Sequence, residues 1–343
     1  MQAQVLEHPG KSPIEALSDR TRPDPEPGPG QVLIAVSASA VCRTDLQLVA
    51  GDLPAHLLPV IPGHQVVGKI TAVGDGVTPE RLGERVGLVW LARSCQECRF
   101  CRTGRENLCR NAQFTGWDID GGYADKVVAD AAFAHPIPDL GTNFPSGPAG
   151  DSAIAPLLCG GVIGFRSLRV AGLGPQSASS SLGLFGFGAS AQLALQVARF
   201  WDIRTFVITR SEREAKRAIE LGAEWSGTYQ DTVPIPLDAA ITFAPVGWVV
   251  NTALRSLDRG GTVAINAIHL DDIPSLDYDD LWWERSIRSV ANVTRQDVTD
   301  FLNVVGPANV TTQAEILPLS AVTTALERLN DGDVSGAFVL QPD

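Results

Sequence analysis

The chain has 343 residues, of which 44% are hydrophobic and 19% charged, and its formal net charge is −12. That length exceeds what one hydrophobic core usually supports, so two domains are expected, and the composition argues against disorder and against a membrane protein. The acidity, with 27 basic residues dispersed along the chain, argues against a nucleic-acid partner, because phosphate binding needs clustered lysine and arginine.

The N-terminal MQAQVLEHPGK has no basic stretch followed by an apolar one. No uninterrupted apolar run reaches the roughly 18 residues that span a bilayer, so a cytoplasmic protein without membrane association is expected. The first part of the chain reads as β-rich, with short runs at Val32 to Ala38, Val66 to Val73 and Arg85 to Trp90 separated by glycine and proline turns, PDPEPGPG (residues 23 to 30) among them. Residues 93 to 112 break that rhythm: they are polar, rich in cysteine and without periodicity, so something other than a core must hold them.

From about Asp151 strands alternate with helices. Leu182 to Phe187 reads as a strand, Ala189 to Phe200 as a helix, Thr205 to Thr209 as a strand and Ser211 to Leu221 as a helix. Further strands fit Ala239 to Phe243, Thr262 to Ala267 and Arg288 to Val293. This pattern predicts an α/β unit with a parallel sheet and helices on both faces. The last fifty residues predict a helix near Ala321 to Asn330 and a strand Ala337 to Gln341 that return to the first domain. The expected division is therefore 1–151, 152–292 and 293–343.

Six cysteines in a reducing compartment point to metal rather than to disulfides. Cys95, Cys98, Cys101 and Cys109 give C-x2-C-x2-C-x7-C, four soft ligands that suit closed tetrahedral zinc. The rival is a four-cysteine iron–sulfur cluster, whose usual run has a shorter last gap and a proline where Arg110 stands here. Such a closed zinc would fix residues 93–112 and do no chemistry. The other two cysteines, Cys42 in VCRTDL and Cys159 in APLLCGGV, flank His64 in PGHQVVG. Two thiolates and one imidazole leave a tetrahedral corner open for water or a substrate oxygen. Each alone is more often inert packing or a satisfied core residue than a ligand.

Gly186-Phe187-Gly188-Ala189-Ser190-Ala191 is G-x-G-x-x-A after an apolar strand and at the start of a helix. There the backbone can approach a pyrophosphate seated on the helix N-terminus. The acid expected about 20 residues on, which binds the ribose of NAD, is absent. Counting back from Leu221-Gly222-Ala223, as proteins that this chain resembles align, its place falls on Thr209, followed by Arg210, Ser211 and Arg213, whose hydroxyls and charge favour NADP(H) over NAD(H). Glu212 and Glu214 keep open the alternative that these arginines only face solvent.

Taken together, PGPGQVLIAV, VCRTDL, GHQVVG with GERVG, the four-cysteine lobe, DGGYADK, APLLCGGV, the glycine turn and IELGAE resemble the zinc-dependent alcohol dehydrogenases of the medium-chain dehydrogenase/reductase family over nearly the whole chain. The resemblance implies a GroES-like β-rich catalytic domain plus a Rossmann domain, two zinc ions per chain, and hydride transfer between an alcohol or carbonyl substrate and NAD(P). It implies that Cys42, His64 and Cys159 hold the catalytic zinc, that Asp45 orients His64, and that Thr44 carries the proton. It further implies that Arg43 contacts the pyrophosphate, that Ile268 and His269 lie near the nicotinamide in a cleft between domains, and that Arg295 belongs to the cofactor set. Trp90 would narrow the substrate channel, with Trp117, Phe114 and Ile119 beside it, unless these aromatics are plain core. A homodimer or homotetramer is implied as well.

Three departures stand out. Gln65 replaces a glutamate usual beside the ligand histidine, Gln47 replaces a histidine that ends the proton relay, and Ala337 replaces an arginine in SGAFVL, so that one phosphate contact is missing. Other chemistries remain open on this scaffold: reduction of an imine or a conjugated double bond, or a non-catalytic nicotinamide-binding or redox-sensing role.

Overall fold

A computed structural model describes every residue except Lys11 and Ser335, and the side chain of Ile14 is left aside. The chain forms two compact units, Met1–Cys159 with Thr294–Asp343, and Gly160–Val293. The first boundary lies beyond the expected Asp151. The helix Pro148–Ile154 and the 3-10 turn Ala155–Leu158 bury Ile154, Ala155, Leu157 and Leu158, and the Leu158 side chain lies so close to Gly87 that a Cβ there would approach within 2.8 Å.

The first unit is built on a seven-stranded sheet. Its long central strand, Gln31–Ala40, alternates Val32, Ile34, Val36 and Ala38 inward with half-buried residues outward, as a sheet packed on one face requires. It pairs antiparallel with Gln65–Val73, Lys126–Asp130 and the C-terminal Ala337–Gln341, so the last strand lies in this unit. Gln65–Val73 pairs in turn with Arg85–Leu88, and that strand with His135–Pro136. One core lies under this sheet, around Val32, Ile34, Val66, Ile70, Val86 and Val127. A second gathers Leu46, Leu48 and Val49 of the helix Arg43–Ala50 with Tyr123, Leu326 and Phe338. The sequence pattern had not marked that helix.

The second unit is a six-stranded, all-parallel sheet. Its spatial order is Trp225–Gly227, Arg204–Ile208, Ser181–Phe185, Leu237–Thr242, Leu257–Ile265 and Ser286–Ser289. Numbered along the chain this is 3-2-1-4-5-6, the doubly wound order, and the reversal next to Ser181–Phe185 opens a crevice at the carboxyl ends of the strands. Every strand expected here is present, each beginning one or more residues earlier than the apolar run suggested. The helix Ala189–Phe200 matches its expected span.

Among the described residues one stretch, Pro148–Val170, has the length and hydropathy of a membrane-crossing helix, but 61% of it is buried inside the protein. It runs as helix, 3-10 turn and helix, and it fills core rather than facing lipid.

Candidate active site and metal centres

The helix Arg43–Ala50 begins with Cys42 as its extended N-cap, at the point where the backbone turns into the helix. Asp45, at the third helical position, closes the capping box by accepting from Cys42 N at 2.9 Å. The same carboxylate accepts from His64 Nδ1 at 2.9 Å and from the Tyr123 hydroxyl at 2.9 Å. Asp45 is 3% exposed, so three donors surround a buried carboxyl group. With Nδ1 committed to Asp45, Nε2 is the nitrogen left for a metal. His64 reaches this place through Gly63, whose φ of +93° only glycine adopts freely, and a Cβ there would come within 2.4 Å of the Tyr123 ring.

Cys159 follows the Ala155–Leu158 turn, and its sulfur, the Cys42 sulfur and a His64 ring nitrogen all lie within 4.8 Å of one another. Burial opposes charge on the His64 ring, but the Asp45 charge and hydrogen bond, together with the Cys42 sulfur, prevail and raise it to about 10. The hydrogen bond from Cys159, and after it His64, outweigh desolvation to hold the Cys42 thiol well below its ordinary range, while that bond and burial push Cys159 well above. Two sulfurs and an imidazole drawn together around one point, with a carboxylate behind the ring, form the donor set of a zinc-type ion with one open position. The Thr44 hydroxyl, buried, stands 3.8 Å from Cys42 Sγ.

Gln65 donates its Nε2 to the Ala40 carbonyl at 3.3 Å, both residues being buried. A glutamate could not donate there, so the amide at this departure from the family pattern has a structural partner. Trp90 lies 6.1 Å from the His64 ring, stacks on Trp117 at 5.7 Å and meets Phe114 at 4.9 Å. The wall continues to His56, which stacks on Trp117 at 3.9 Å while its Nδ1 meets Asp118 at 2.8 Å. Neither Tyr123 nor His56 had been singled out in the sequence. The only hint of Tyr123 was its place in DGGYADK.

The lobe sulfurs also gather within 4.8 Å. Cys98 and Cys101 are 3.5 Å apart, Cys95 and Cys109 3.5 Å, and Cys95 and Cys101 3.9 Å. A tetrahedron of thiolates about 2.3 Å from one ion has edges of about 3.8 Å, so the sulfurs fit a single zinc and leave no room for a multi-iron cluster. The Cys101 backbone N–H leads in pulling Cys98 down to about 7, while burial pushes Cys109 up to about 11. Arg295, expected in the cofactor set, is engaged here with the cysteine lobe. It opens the helix Arg295–Val305 in the first unit, where its backbone N and its Nε donate to the buried Glu106 carboxylate of the lobe at 2.9 and 3.3 Å and its guanidinium lies 5.0 Å from the Phe133 ring. Arg43 is exposed, with Nη2 on the Leu329 carbonyl at 3.5 Å.

In the second unit the glycine turn leaves the carboxyl end of Ser181–Phe185. Gly186 has φ +93°, and a Cβ on it would press to 3.0 Å from Ala244 N. Gly188 caps the helix Ala189–Phe200 without a side-chain bond, and nothing lies within 4 Å of where its Cβ would be. That open, unblocked helix start fits a pyrophosphate. Phe187 and Ala191 are buried beneath it and Ser190 is half-buried. Thr209 directly follows the neighbouring strand Arg204–Ile208, with Ser211 as cap of the next helix, Arg210 and Arg213 are exposed, and Ile268 and His269 follow Leu257–Ile265, also exposed.

Residues 28–139 match the alcohol dehydrogenase GroES-like domain. The chain is 45% identical over 350 residues to the probable alcohol dehydrogenase AdhA of Mycobacterium tuberculosis (strain CDC 1551 / Oshkosh), covering 99% of this chain and 97% of that one. It is 32% identical over 319 residues to an alcohol dehydrogenase of Geobacillus stearothermophilus, covering 90% and 91%. Among solved structures it resembles a cinnamyl alcohol dehydrogenase of Sorghum bicolor, with a TM-score of 0.86, 25% identity and coverage of 99% and 97%. The chain belongs to the zinc-type alcohol dehydrogenases of the medium-chain dehydrogenase/reductase family, oxidoreductases that use zinc and a nicotinamide cofactor.

Proposed function

We propose that the chain interconverts a primary or secondary alcohol and its aldehyde or ketone at Cys42, His64 and Cys159, holds a second zinc at Cys95, Cys98, Cys101 and Cys109, and favours NADP(H) over NAD(H). The observation that carries the reading is the convergence of three donor atoms from distant segments within 4.8 Å. When bound there, zinc supplies Lewis acidity toward the substrate oxygen, and the nicotinamide accepts or gives the hydride.

The chain's own residues do the rest. Asp45 fixes the ring plane of His64 and, through Cys42 N, the start of the helix that presents Cys42 and Thr44. Thr44, buried beside Cys42, is the hydroxyl placed to take the substrate's proton in oxidation and to return it in reduction. Trp90 and Trp117 give an aromatic wall beside His64 that keeps water from the reacting carbon. With Gln47 in place of a histidine, the proton continues by another path. Arg210 and Arg213, exposed after Thr209, support the NADP(H) preference. The edge strand Ser286–Ser289, with exposed Trp282 and Trp283 just before it, supports a homo-oligomer, which light scattering checks.

The test is metal content together with NADPH and NADH oxidation by a panel of aldehydes and ketones, before and after chelation. Two zinc ions per chain are expected, one in Cys42→Ser and in His64→Ala, with turnover lost in both and the fold kept. Turnover that survives verified removal of that ion would refute the reading.

A further inference from the structure

A doubly wound unit reads the ribose of its cofactor at the end of the strand that follows the glycine turn, where an acid accepts the hydroxyls of NAD. This chain has Thr209 in that place, yet the structure brings a carboxylate there from the next helix. Thr209, 4% exposed, donates its hydroxyl to Glu214 Oε2. The same oxygen of Thr209 accepts from Ser211 N at 3.3 Å, and Ser211 Oγ accepts from Glu214 N at 3.3 Å, which fixes the first turn of the helix Glu212–Glu220. A hydroxyl has one proton to give, and Glu214 takes it. Arg210 and Glu214 act with opposite sign on the half-buried Tyr229, which packs edge-on against Trp248 at 5.0 Å, so both charges stand at this corner of the unit.

We propose that Glu214 sets the discrimination between the two nicotinamide cofactors. On Thr209 its carboxylate serves as acceptor for a ribose 2′-hydroxyl and repels a 2′-phosphate. NADP(H) binds only as Glu214 leaves Thr209, freeing that hydroxyl, with Ser211 and Arg210, for the phosphate. The NADP(H) preference offered above is thus a preference against an internal competitor, and the inference rests on this unit being the cofactor-binding one. Glu212, two residues away, is exposed, and Thr209 donates to Glu214 instead, so position rather than total charge is what acts.

Isothermal titration of the full-length chain with NADPH and with NADH, in the absence of substrate, tests this. Glu214→Ala should tighten NADPH about tenfold and weaken NADH up to about fivefold, unchanged NADH refuting the acceptor role, with Glu214→Gln between wild type and Glu214→Ala for NADPH because it removes the charge and still occupies Thr209. Glu212→Ala should change neither constant. The inference is overturned if Glu214→Ala binds NADPH no more tightly than wild type, or if Glu212→Ala tightens it equally. A wild type that prefers NADH, with the Glu214→Ala shift intact, refutes the NADP(H) preference and leaves the role of Glu214 standing. Binding of neither cofactor refutes both.

Discussion

Gln65 follows His64 in the chain and donates its amide to the Ala40 carbonyl. Putting a glutamate there sets a buried carboxylate against a carbonyl oxygen, with no proton to share unless it stays protonated. Gln65→Glu should therefore cost about 1–3 kcal/mol of stability. The cost should grow as pH rises from 5 to 8, since burial raises the new carboxyl and the native state then binds more protons than the unfolded one. Its negative charge beside His64 should also move the pH–rate profile upward. Denaturant midpoints at several pH values and a rate profile check both, and an unchanged profile would show that residue 65 does not tune the site. At this scale the sequence displayed its local partners and hid its distant ones. Cys42, Asp45 and His64 stood in quotable motifs, whereas Tyr123 meets Asp45 across 78 residues and His56 meets Asp118 across 62. Glu214 is only five residues from Thr209, but a strand end and a helix start turn the two side chains toward each other, and no spacing rule announces that.

Elements followed the same division. The parallel strands and the helix Ala189–Phe200 were legible because a continuous apolar run or a 3.6-residue period is written into each one. The helix Arg43–Ala50 was not, because its cap is a cysteine rather than serine, threonine or aspartate. The lobe 93–112 was legible only as an absence of periodicity, and the structure explains that absence. It contains two 3-10 turns, Cys101–Thr103 and Glu106–Leu108, and a left-handed Gln96, a geometry in which four sulfurs within 4.8 Å of one another and the Glu106–Arg295 bond stand in place of a core. Cys101→Ser should accordingly lower the zinc content from two ions per chain to one and expose residues 93–112 to proteolysis, with the Cys42–His64–Cys159 ion retained. Metal analysis and peptide-resolved hydrogen exchange measure this. Loss of both ions, or unchanged protection in the lobe, would contradict the separation of the two sites.

For the molecule as a whole, the titratable group that most directly links pH to stability away from the metal ligands is His135. It pairs with Gly87 at the edge of the first unit's sheet, is 5% exposed, and its Nε2 finds no partner among the described residues. Burial, then the positive charges of Arg295 and Arg81, push its pKa down to about 4 against a smaller opposing effect of Glu106. The ring is thus neutral in the native protein throughout the range in which an unfolded histidine, near 6.5, takes up a proton. Above that value the two states bind equal numbers of protons at this residue and it leaves stability untouched. As pH falls from about 6.5 toward 4 the unfolded chain gains a proton that the native one refuses, and the native state loses on the order of 3 kcal/mol. His135→Leu removes the titration and keeps an apolar group in the strand. Comparing urea midpoints of the two proteins between pH 7 and pH 4.5 cancels the proton uptake of the zinc ligands, which is common to both. The wild type should lose stability more steeply than the variant, and parallel curves would place the acid sensitivity of this fold elsewhere.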